Sequence, residues 1–486
     1  MAMQMIWKRR ERKPENQASM NISVRVFLTV MVVLIAVLTL SGALSYCVPQ
    51  GSFLRDEEGM ILTGTYEEGI VSGIAPWRVI TAPARVYASS DGLTIIMISA
   101  FLLIMSGVFN LLEKTGGIKI FIARIIGRFG DKKGYVICLT VLIFMLFGSF
   151  FGMFEELVTL LPIVILMMIS LGMDTMMGLG ACLMAACFGF SAAITNPFSV
   201  GLASEIANHP LSSGVWLRAV FFVITYVTVC AFLLLYSRRL SQNPEISLSY
   251  DVDRQKQKNF EGIAIGEGQD ADRIFSVYAV FFGIQAVVLL LIASVRAISS
   301  YAVPILSISF LFCGIAAGMI VCEKKKDAAN YILRGAASMI PAVVIIAVAS
   351  SVKLVMAESG IMDTIMYRVI SLLDGKNKFV AVLLIYFLIL FLQVFIGSAS
   401  AKLMLVMPIV LPVAGALGLS PSIVILAYCM ADGFTDVILP TNPVLLIGLS
   451  MANVSYAKWV RWTWKFQVLV FALTIAVLFF GVTIGY

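Results

Sequence analysis

The chain has 486 residues, of which 60% are hydrophobic and only 13% are charged, and its formal net charge is +7. Soluble domains carry about 25% charged residues, so this composition excludes an ordinary soluble fold. Lys and Arg held in cytoplasmic loops explain the positive charge of a membrane chain, and we expect no nucleic-acid partner. The composition therefore predicts an all-α polytopic membrane protein.

Thirteen apolar segments follow one another along the chain. If all of them crossed the bilayer, loops rich in Lys and Arg would lie on both sides, against the usual cytoplasmic excess. Re-entrant hairpins at 135–171 and 379–415 remove this conflict and leave about nine transmembrane helices. The segments are 26–47, 93–112, 135–147, 154–171, 174–205, 214–236, 275–296, 303–322, 338–356, 379–396, 401–415, 421–450 and 466–485.

The predicted topology starts with a cytoplasmic tail at 1–23 and ends outside the cell. The acidic loop 48–92, with Asp56, Glu57 and Glu58, lies outside, and the polar loop 237–273 lies inside. Segment 379–396 is also long enough to cross by itself. The basic residues that this topology places inside are Lys114, Lys119, Arg124, Arg128, Lys132, Lys133, Lys324, Lys325, Lys326, Lys458, Arg461 and Lys465.

An internal repeat relates residues 162–197 to residues 408–443 at a shift of 246 residues. Twelve of these 36 positions are identical, which is far more than unrelated apolar helices would share. Upstream, Gly148-Ser149 pairs with Gly397-Ser398 after a slip of three residues. The identical residues, numbered in the first copy, are Pro162, Ile163, Val164, Leu171, Gly172, Ala181, Met184, Ala185, Phe188, Thr195, Asn196 and Pro197.

The two copies are predicted to enter the membrane from opposite faces. Repeat 1 spans 24–236 and repeat 2 spans 303–486, with the cytoplasmic loop 237–273 and a linking helix at 274–302 between them. Inverted repeats with interrupted helices are typical of secondary transporters with alternating access. We therefore expect a secondary transporter. Gene duplication without a transport role and a passive channel remain the alternatives.

Each copy of the repeat ends in Thr-Asn-Pro inside a predicted broken helix, at Thr195-Asn196-Pro197 in 174–205 and at Thr441-Asn442-Pro443 in 421–450. Proline lacks the N–H that continues a helix, and the freed backbone groups need polar partners in a membrane. Oxygen ligands at Asn196 and Asn442 suit Na⁺, while the amino ends of half-helices suit a carboxylate. A substrate and ion site is favoured over simple kinks.

Hydroxyl groups at the two hairpin tips extend this predicted site. Ser149 belongs to the first tip, and Ser398 and Ser400 belong to the second. Small residues and hydroxyls at the tips would reach the same depth in the membrane as the Thr-Asn-Pro breaks. We therefore include all three serines among the candidate substrate- and ion-binding residues.

Ionisable side chains within membrane segments are costly and mark functional sites. Glu155 and Glu156 follow the first tip, and Glu156 aligns with Lys402 after the second tip. In one interpretation, an ion pair between these residues holds the hairpins together. In the other, Lys402 binds a substrate carboxylate. Asp432 and Asp436 lie one turn apart on one helix face. They could coordinate a cation, carry a proton, bind an amino group or cap the broken helix.

The tip at residues 397–402, Gly-Ser-Ala-Ser-Ala-Lys, and the run from Asp432-Gly433-Phe434 to Pro440-Thr441-Asn442-Pro443 resemble the YfcC-like branch of the anaerobic C4-dicarboxylate carrier family, in the ion transporter superfamily. The resemblance covers most of the chain from about residue 24. It implies homodimers and elevator-type movement of a transport domain against a scaffold. It also implies a solute that is a C4-dicarboxylate-like organic anion or an amino acid, because members are labelled both as dicarboxylate carriers and as basic amino acid antiporters.

Carried over by position, the resemblance assigns the tips and the two Thr-Asn-Pro breaks to the ion and substrate site. The carboxylates of Asp432 and Asp436 would repel a dicarboxylate, whereas Lys402 would attract it. An aspartyl protease needs its two Asp on facing helices, so we expect no enzyme activity. We expect a carrier in the bacterial inner membrane that uses Na⁺ or H⁺ as coupling ion and needs no other cofactor.

Overall fold

The computed structural model describes most of the chain. The described residues are 24–54, 65–89, 92–117, 120, 132–154, 156–250, 253–254, 256, 269–294, 301–322, 324–373 and 375–486. The predicted cytoplasmic tail at 1–23 lies outside these residues. So do the following residues singled out in the sequence: Asp56, Glu57, Glu58, Lys119, Arg124, Arg128 and Glu155.

The described residues are mostly helical, which confirms the predicted all-α class. The α-helices are Val24–Leu44, Pro76–Arg85, Gly92–Lys114, Lys133–Leu146, Leu161–Ser170, Thr175–Leu179, Ala185–Ser191, Leu202–Ile206, Val215–Gln242, Gln269–Ser294, Ala302–Val321, Lys325–Ser338, Ile340–Glu358, Ile361–Ser371, Lys378–Gln393, Ala399–Ala416, Pro421–Thr435, Pro443–Ala452 and Tyr456–Thr483. One short antiparallel pair, Gly51–Ser52 with Glu67–Glu68, lies in the loop after the first helix.

Eight helices are long and apolar enough to cross a bilayer, within the part of the chain that the structure describes. They are Ile95–Lys114, Lys133–Phe151, Val215–Gln242, Ala271–Val288, Pro304–Val321, Lys325–Glu358, Ala399–Ala416 and Tyr456–Thr483. Many large apolar side chains on these helices are exposed, such as Val223, Val287 and Phe312. Exposed apolar faces of this extent suit lipid as the surrounding solvent, so the chain is a multi-pass membrane protein.

Both predicted hairpins consist of two helices joined at an interruption. In the first hairpin, Lys133–Leu146 continues into a π-helical turn, Phe147–Phe151, and the chain resumes α-helical structure at Leu161. In the second, Lys378–Gln393 and Ala399–Ala416 are separated by residues 394–398. We call residues 147–154 the first tip and residues 394–398 the second tip.

Both predicted broken helices are interrupted at their Thr-Asn-Pro sequences. The first comprises Thr175–Ser191 and a segment from Pro197 to Ile206. The second comprises Pro421–Thr435 and Pro443–Ala452. We call residues 192–196 the first break and residues 436–442 the second break. Each proline starts the second segment of its broken helix, where a missing N–H costs nothing.

Repeat-related residues form the same structure where each hairpin passes into its broken helix. Gly172 and Gly418 both adopt positive φ, +78° and +74°, and end the second arm of their hairpins. Glycine adopts this conformation without steric cost. Two residues later, Asp174 and Ser420 accept hydrogen bonds from backbone N–H groups and cap the next helix. The sequence repeat is thus also a repeat of local structure.

The start of each broken helix is connected to the end of the other. Ser422, near the start of the second, hydrogen bonds His209, just after the end of the first, at 2.9 Å. At the other end, Nζ of Lys256 donates to Oγ1 of Thr175 at 3.0 Å and to the carbonyl of Ala452 at 2.9 Å. These contacts join the start of each broken helix to the end of the other.

Candidate functional site

A buried ion pair lies beside the second tip. Lys402 and Asp432 are joined by a salt bridge, and their side chains are 0% and 1% exposed. Nζ of Lys402 also lies 3.4 Å from the carbonyl oxygen of Ile396 in the tip. A buried lysine needs a counter-charge because an unpaired charge is very costly away from water. The ion pair therefore fastens the second hairpin to the second broken helix.

Asp436 lies next to this ion pair, one turn after Asp432. Its Oδ1 accepts a hydrogen bond of 2.7 Å from the side-chain amide of Gln393, which ends the first arm of the second hairpin. Asp436 interacts electrostatically with both Asp432 and Lys402. The cluster of one ammonium and two carboxylates carries a formal charge of −1 when all three are ionised. It is buried among apolar helices, where charges are expensive.

Tyr428 completes the contacts of the second tip. Its hydroxyl donates to the carbonyl of Ala399 at 2.5 Å, and its ring centre lies 5.9 Å from Nζ of Lys402. Aromatic faces attract cations at this separation. Tyr428 thus contacts both the start of the second arm of the second hairpin and the ammonium group of Lys402.

The first tip is held by neutral hydrogen bonds. The carbonyl of Ser149 accepts the N–H groups of Ile194, Thr195 and Asn196 at 3.1, 3.3 and 3.1 Å. The Ser149 hydroxyl donates to the carbonyl of Ala192 at 2.5 Å and accepts the N–H of Ile194 at 3.1 Å. One serine therefore satisfies most of the backbone groups that the first break frees.

Asn196 and Asn442 cap the helical segments that follow the breaks. Oδ1 of Asn196 accepts the N–H of Phe198 at 2.9 Å. Oδ1 of Asn442 accepts the N–H groups of Val444 and Leu445 at 2.9 and 3.2 Å. An Asn oxygen in this position satisfies free helix N–H groups. The side-chain oxygens predicted to bind Na⁺ are thus engaged with backbone donors.

The remaining predicted residues lie at the same interruptions. Thr195 donates from Oγ1 to the carbonyl of Phe150 in the first tip at 3.0 Å. Ser398 caps the second arm of its hairpin, accepting the N–H of Ala401 at 3.4 Å. Thr441 is buried in the second break, close to Gly397.

Two contacts bring the copies of the repeat together. Ser400, after the second tip, donates to the carbonyl of Phe198, after the first break, at 3.4 Å. Ser191 donates to the carbonyl of Met430 at 3.2 Å, where the broken helices cross. A Cβ on Gly433 would lie 2.3 Å from the backbone nitrogen of Ser191, so the two helices can approach this closely only with glycine there. The predicted residues of both repeats thus lie around one region.

Several buried polar atoms in this region have no hydrogen-bond partner in the protein. They are Nδ2 of Asn196, Oγ1 of Thr441, Oδ2 of Asp432 and Oε1 of Gln393. Buried polar groups are rarely left unsatisfied, and those that are need an explanation such as a ligand or water. The Asn196 nitrogen is a donor, the Thr441 hydroxyl can donate or accept, and the other two oxygens are acceptors, which suits a polar solute with groups of both kinds.

Sequence reasoning found most of the polar residues in this region but missed two. Gln393 is a single polar residue in the apolar run Phe391-Leu392-Gln393-Val394, and that position was the available signal. Tyr428 was hidden because an aromatic residue in an apolar helix carries no such signal. The predicted ion pair of Lys402 with Glu155 or Glu156 is not described, because Glu155 and the side chain of Glu156 lie outside the described residues.

The described residues contain no group of three or more His, Cys, Asp or Glu side chains that could hold a metal ion. The polar site is instead built from interrupted helices and one buried ion pair within a bundle of membrane-spanning length. Such a site within apolar helices defines a membrane protein that handles a small polar solute.

Comparison with known proteins identifies the family. The family model for the C4-dicarboxylate anaerobic carrier, DcuC, matches residues 27–483. The chain therefore belongs to the C4-dicarboxylate anaerobic carrier family, which confirms the resemblance seen in the sequence. It is a membrane carrier for a small-molecule solute, not an enzyme.

Two curated bacterial proteins are similar to this chain. The putative basic amino acid antiporter YfcC of Escherichia coli K12 is 26% identical over 419 residues, covering 83% of this chain and 79% of that protein. An uncharacterised protein of Haemophilus influenzae is 27% identical over 371 residues, covering 75% of this chain and 71% of that protein.

Two solved transporters align with this structure at TM-scores below 0.5. They are YdaH of Alcanivorax borkumensis, with a TM-score of 0.43, 16% identity and coverage of 95% of this chain and 98% of that one, and MtrF of Neisseria gonorrhoeae, with a TM-score of 0.41, 15% identity and coverage of 93% and 94%. At these scores the alignments carry no argument about the site.

Proposed function

We propose that this protein is a secondary active transporter of small carboxylates or amino acids, including C4-dicarboxylate-like organic anions, that works by alternating access. The observation that carries the proposal is the buried Lys402–Asp432 ion pair beside Asp436, between the second tip and the second break. Buried charges of this kind in a membrane bundle mark the path of an ion or a solute.

The unpartnered side-chain nitrogen of Asn196 supports a solute with a carboxylate. This nitrogen is a donor, it is fully buried, and the oxygen of the same amide already accepts a backbone N–H. A carboxylate oxygen would satisfy the donor with a charge-assisted hydrogen bond. A Na⁺ ion would not, because it binds only acceptors.

Exchange of basic amino acids is the second candidate function, and the charge of the site favours it. Lys402 neutralises only one of the two carboxylates, so Asp436 remains for a cationic amino group. With all three groups ionised, a dicarboxylate would meet a site with a formal charge of −1. The similar E. coli protein is named a putative basic amino acid antiporter, which is consistent with this candidate.

We also propose the predicted architecture for transport: an inverted repeat of 24–236 and 303–486, with elevator-type movement, in a homodimer. The opposite pairing of the broken-helix ends, through His209 with Ser422 and through Lys256 with Thr175 and Ala452, supports inversion. The bacterial inner membrane and a cytoplasmic amino terminus remain part of the proposal, as does a coupling ion, Na⁺ or H⁺.

Uptake by the purified protein in liposomes tests the proposed function. Labelled succinate would be offered with an inward Na⁺ gradient, with an inward proton gradient and with neither, and arginine and ornithine would be added as competitors. A second set of liposomes would be loaded with ornithine and offered labelled arginine. Saturable uptake that needs a gradient supports a coupled carboxylate carrier.

Arginine uptake that requires internal ornithine, without succinate uptake, supports the antiporter. Uptake that rises linearly with concentration and needs neither gradient nor counter-substrate would indicate a passive channel and overturn the proposal. An Asn196→Leu variant tests the site: it has a similar side-chain volume but lacks the unpartnered donor, and it also lacks the oxygen that caps Phe198. It should raise the KM of a carboxylate solute.

A further inference from the structure

The ammonium group of Lys402 has the partners that an interrupted membrane helix offers to an inorganic cation. They are the carboxylate of Asp432, the carbonyl oxygen of Ile396 in the second tip and the ring face of Tyr428. Carbonyls of unwound backbone and side-chain oxygens are typical Na⁺ ligands in secondary transporters. Here the cation among such groups is the ammonium of Lys402, which is covalently attached to the chain, and the Lys402 side chain is fully buried.

This ammonium group joins parts of the chain that are separate elements. Ile396 belongs to the second tip, Lys402 to the second arm of the same hairpin and Asp432 to the second broken helix. The hydroxyl of Tyr428 on that helix also binds the carbonyl of Ala399. The ammonium group therefore helps to close the tip against the broken helix, which is a position where a coupling cation would act.

We propose that Lys402 is a tethered cation that closes the second tip, so that this half of the carrier works without an inorganic cation. The inference rests on the proposed function and specifies the coupling at the same site. A tethered ammonium cannot be released to either side of the membrane, so its occupancy does not depend on the Na⁺ concentration. Lys402 neutralises Asp432, and Asp436 remains for the solute.

The first half of the carrier offers a contrast that supports this assignment. The first tip is fixed to the first break by hydrogen bonds to Ser149, between groups that carry no charge. The contacts of Ser149 therefore fasten the first tip with uncharged groups of the chain. In both halves the described contacts that hold the tip come from the chain itself.

The first test uses the wild-type protein in liposomes, with whichever labelled solute it transports. Replacing Na⁺ by choline on both sides should change the initial uptake rate by less than about twofold, because no step requires Na⁺. A saturable dependence on Na⁺ with loss of transport in choline would overturn the proposal.

The second test removes the tethered cation. Lys402→Ala leaves Asp432 unpaired beside a space, so uptake in choline should fall by about 100-fold or more. Methylammonium or Na⁺ should restore part of the activity by occupying that space. Lys402→Met fills the space with an apolar chain, so neither ion should restore its activity. Full activity of Lys402→Met in choline would overturn the proposal.

A third measurement does not depend on transport. Thermal unfolding in detergent should show that methylammonium or Na⁺ raises the Tm of Lys402→Ala but not that of the wild type or of Lys402→Met. Equal shifts in all three proteins would contradict a site created by removing the lysine. If no solute is transported but this pattern of shifts is found, the proposed function fails and the tethered cation stands.

Lys378→Met is the matched control for all three measurements. Lys378 begins the first arm of the same hairpin, and it is exposed. Its loss removes the same charge without opening a buried space. Its uptake should keep the wild-type response to choline, and its Tm should not respond to methylammonium. A rescue pattern like that of Lys402→Ala would indicate a general effect of removing lysine charge and would overturn the assignment to Lys402.

Discussion

The two hairpin tips contain the same Gly-Ser pair, but different chemistry attaches them to their broken helices. Ser149 fixes the first tip through uncharged hydrogen bonds, mostly to backbone N–H groups. The second tip is fixed by the buried pair of Lys402 and Asp432, with Asp436 and Gln393 beside it. A repeated sequence thus preserves the shape of the site in both halves, and among the described residues the buried ion pair lies at the second tip.

This difference predicts unequal sensitivity of the two halves to substitution. Uncharged hydrogen bonds contribute about 0.5–1.5 kcal/mol each, whereas breaking one partner of a buried ion pair costs about 3–5 kcal/mol. The first tip should therefore lose stability in small steps. The second should fail when a single charge is removed.

Asp432→Asn should have the largest effect, because it leaves the ammonium group of Lys402 buried without its counter-charge. We expect the free energy of unfolding to fall by about 3–5 kcal/mol, and uptake in liposomes to fall to background. Chemical or thermal unfolding of the purified protein in detergent measures the first effect.

A double variant, Lys402→Met with Asp432→Leu, is the control for this prediction. It removes both charges and replaces them with apolar side chains, so it should regain most of the stability lost in Asp432→Asn, while uptake stays at background. If the double variant unfolds as readily as Asp432→Asn, the lost stability does not come from an unpaired charge.

Gly148→Ala and Gly397→Ala compare the packing of the two tips. A Cβ on Gly148 would lie 2.3 Å from the carbonyl oxygen of Ala186, whereas the nearest atom to a Cβ on Gly397 is 3.9 Å away. Overpacking against backbone should cost Gly148→Ala about 1–3 kcal/mol. Gly397→Ala should unfold within about 0.5 kcal/mol of the wild type. Equal losses of stability in the two variants would contradict the tighter packing of the first tip.

Asn442→Ala and Asn196→Ala compare the two breaks. Asn442 caps two backbone N–H groups and Asn196 caps one. Loss of an Asn cap costs about 0.5–2 kcal/mol, so Asn442→Ala should lie near the upper end of this range and Asn196→Ala near the lower end. Denaturant titration of both variants measures the order. Asn442→Ser, which retains a capping oxygen without adding a charge beside Asp436, should recover part of the loss. A reversed order would contradict the assignment of the caps.

An effect that depends on pH is expected at Lys256, whose side chain links the two copies through Thr175 and Ala452. Burial lowers the pKa of Lys256 from 10.5 to about 8. Between these values the unfolded chain holds the proton more tightly, so the free energy of unfolding should rise as the pH increases from about 8 to 10.5. Below about pH 8 both states are protonated and this dependence disappears.

Lys256→Met isolates that pH dependence. The difference in unfolding free energy between the wild type and this variant should change with pH only in the stated interval, because other titrating groups are common to both proteins. A constant difference across the interval would mean that the pKa of Lys256 is not lowered by folding.

Much of the architecture could be predicted from the sequence because a bilayer restricts which backbones can be buried in it. Long apolar segments with satisfied backbone groups must be helices, and Thr-Asn-Pro must interrupt them. The repeat-related positions Gly172 and Gly418 also have the same backbone conformation. These features depend on residues that are close together in the sequence, so the sequence is enough to predict them.

The partners within the site could not be predicted in the same way. The sequence predicts that Lys402 meets Glu155 or Glu156 or a solute carboxylate. The first pairing lies outside the described residues, and the counter-charge that the structure describes is Asp432. Gln393 joins the cluster from the first arm of the second hairpin, and Tyr428 joins it from the helix of Asp432. Which of several buried charges become neighbours depends on how the helices pack.

The sequence by itself determined the membrane class, the interrupted helices, the repeat and the family, because apolar length, proline and glycine act locally. Only the tertiary structure decided that the capping oxygens of Asn196 and Asn442 are engaged with backbone donors. It also decided that the ammonium group of Lys402 pairs with Asp432. A buried charge is stable only beside its counter-charge, and the packing of one helix against another determines where that counter-charge lies.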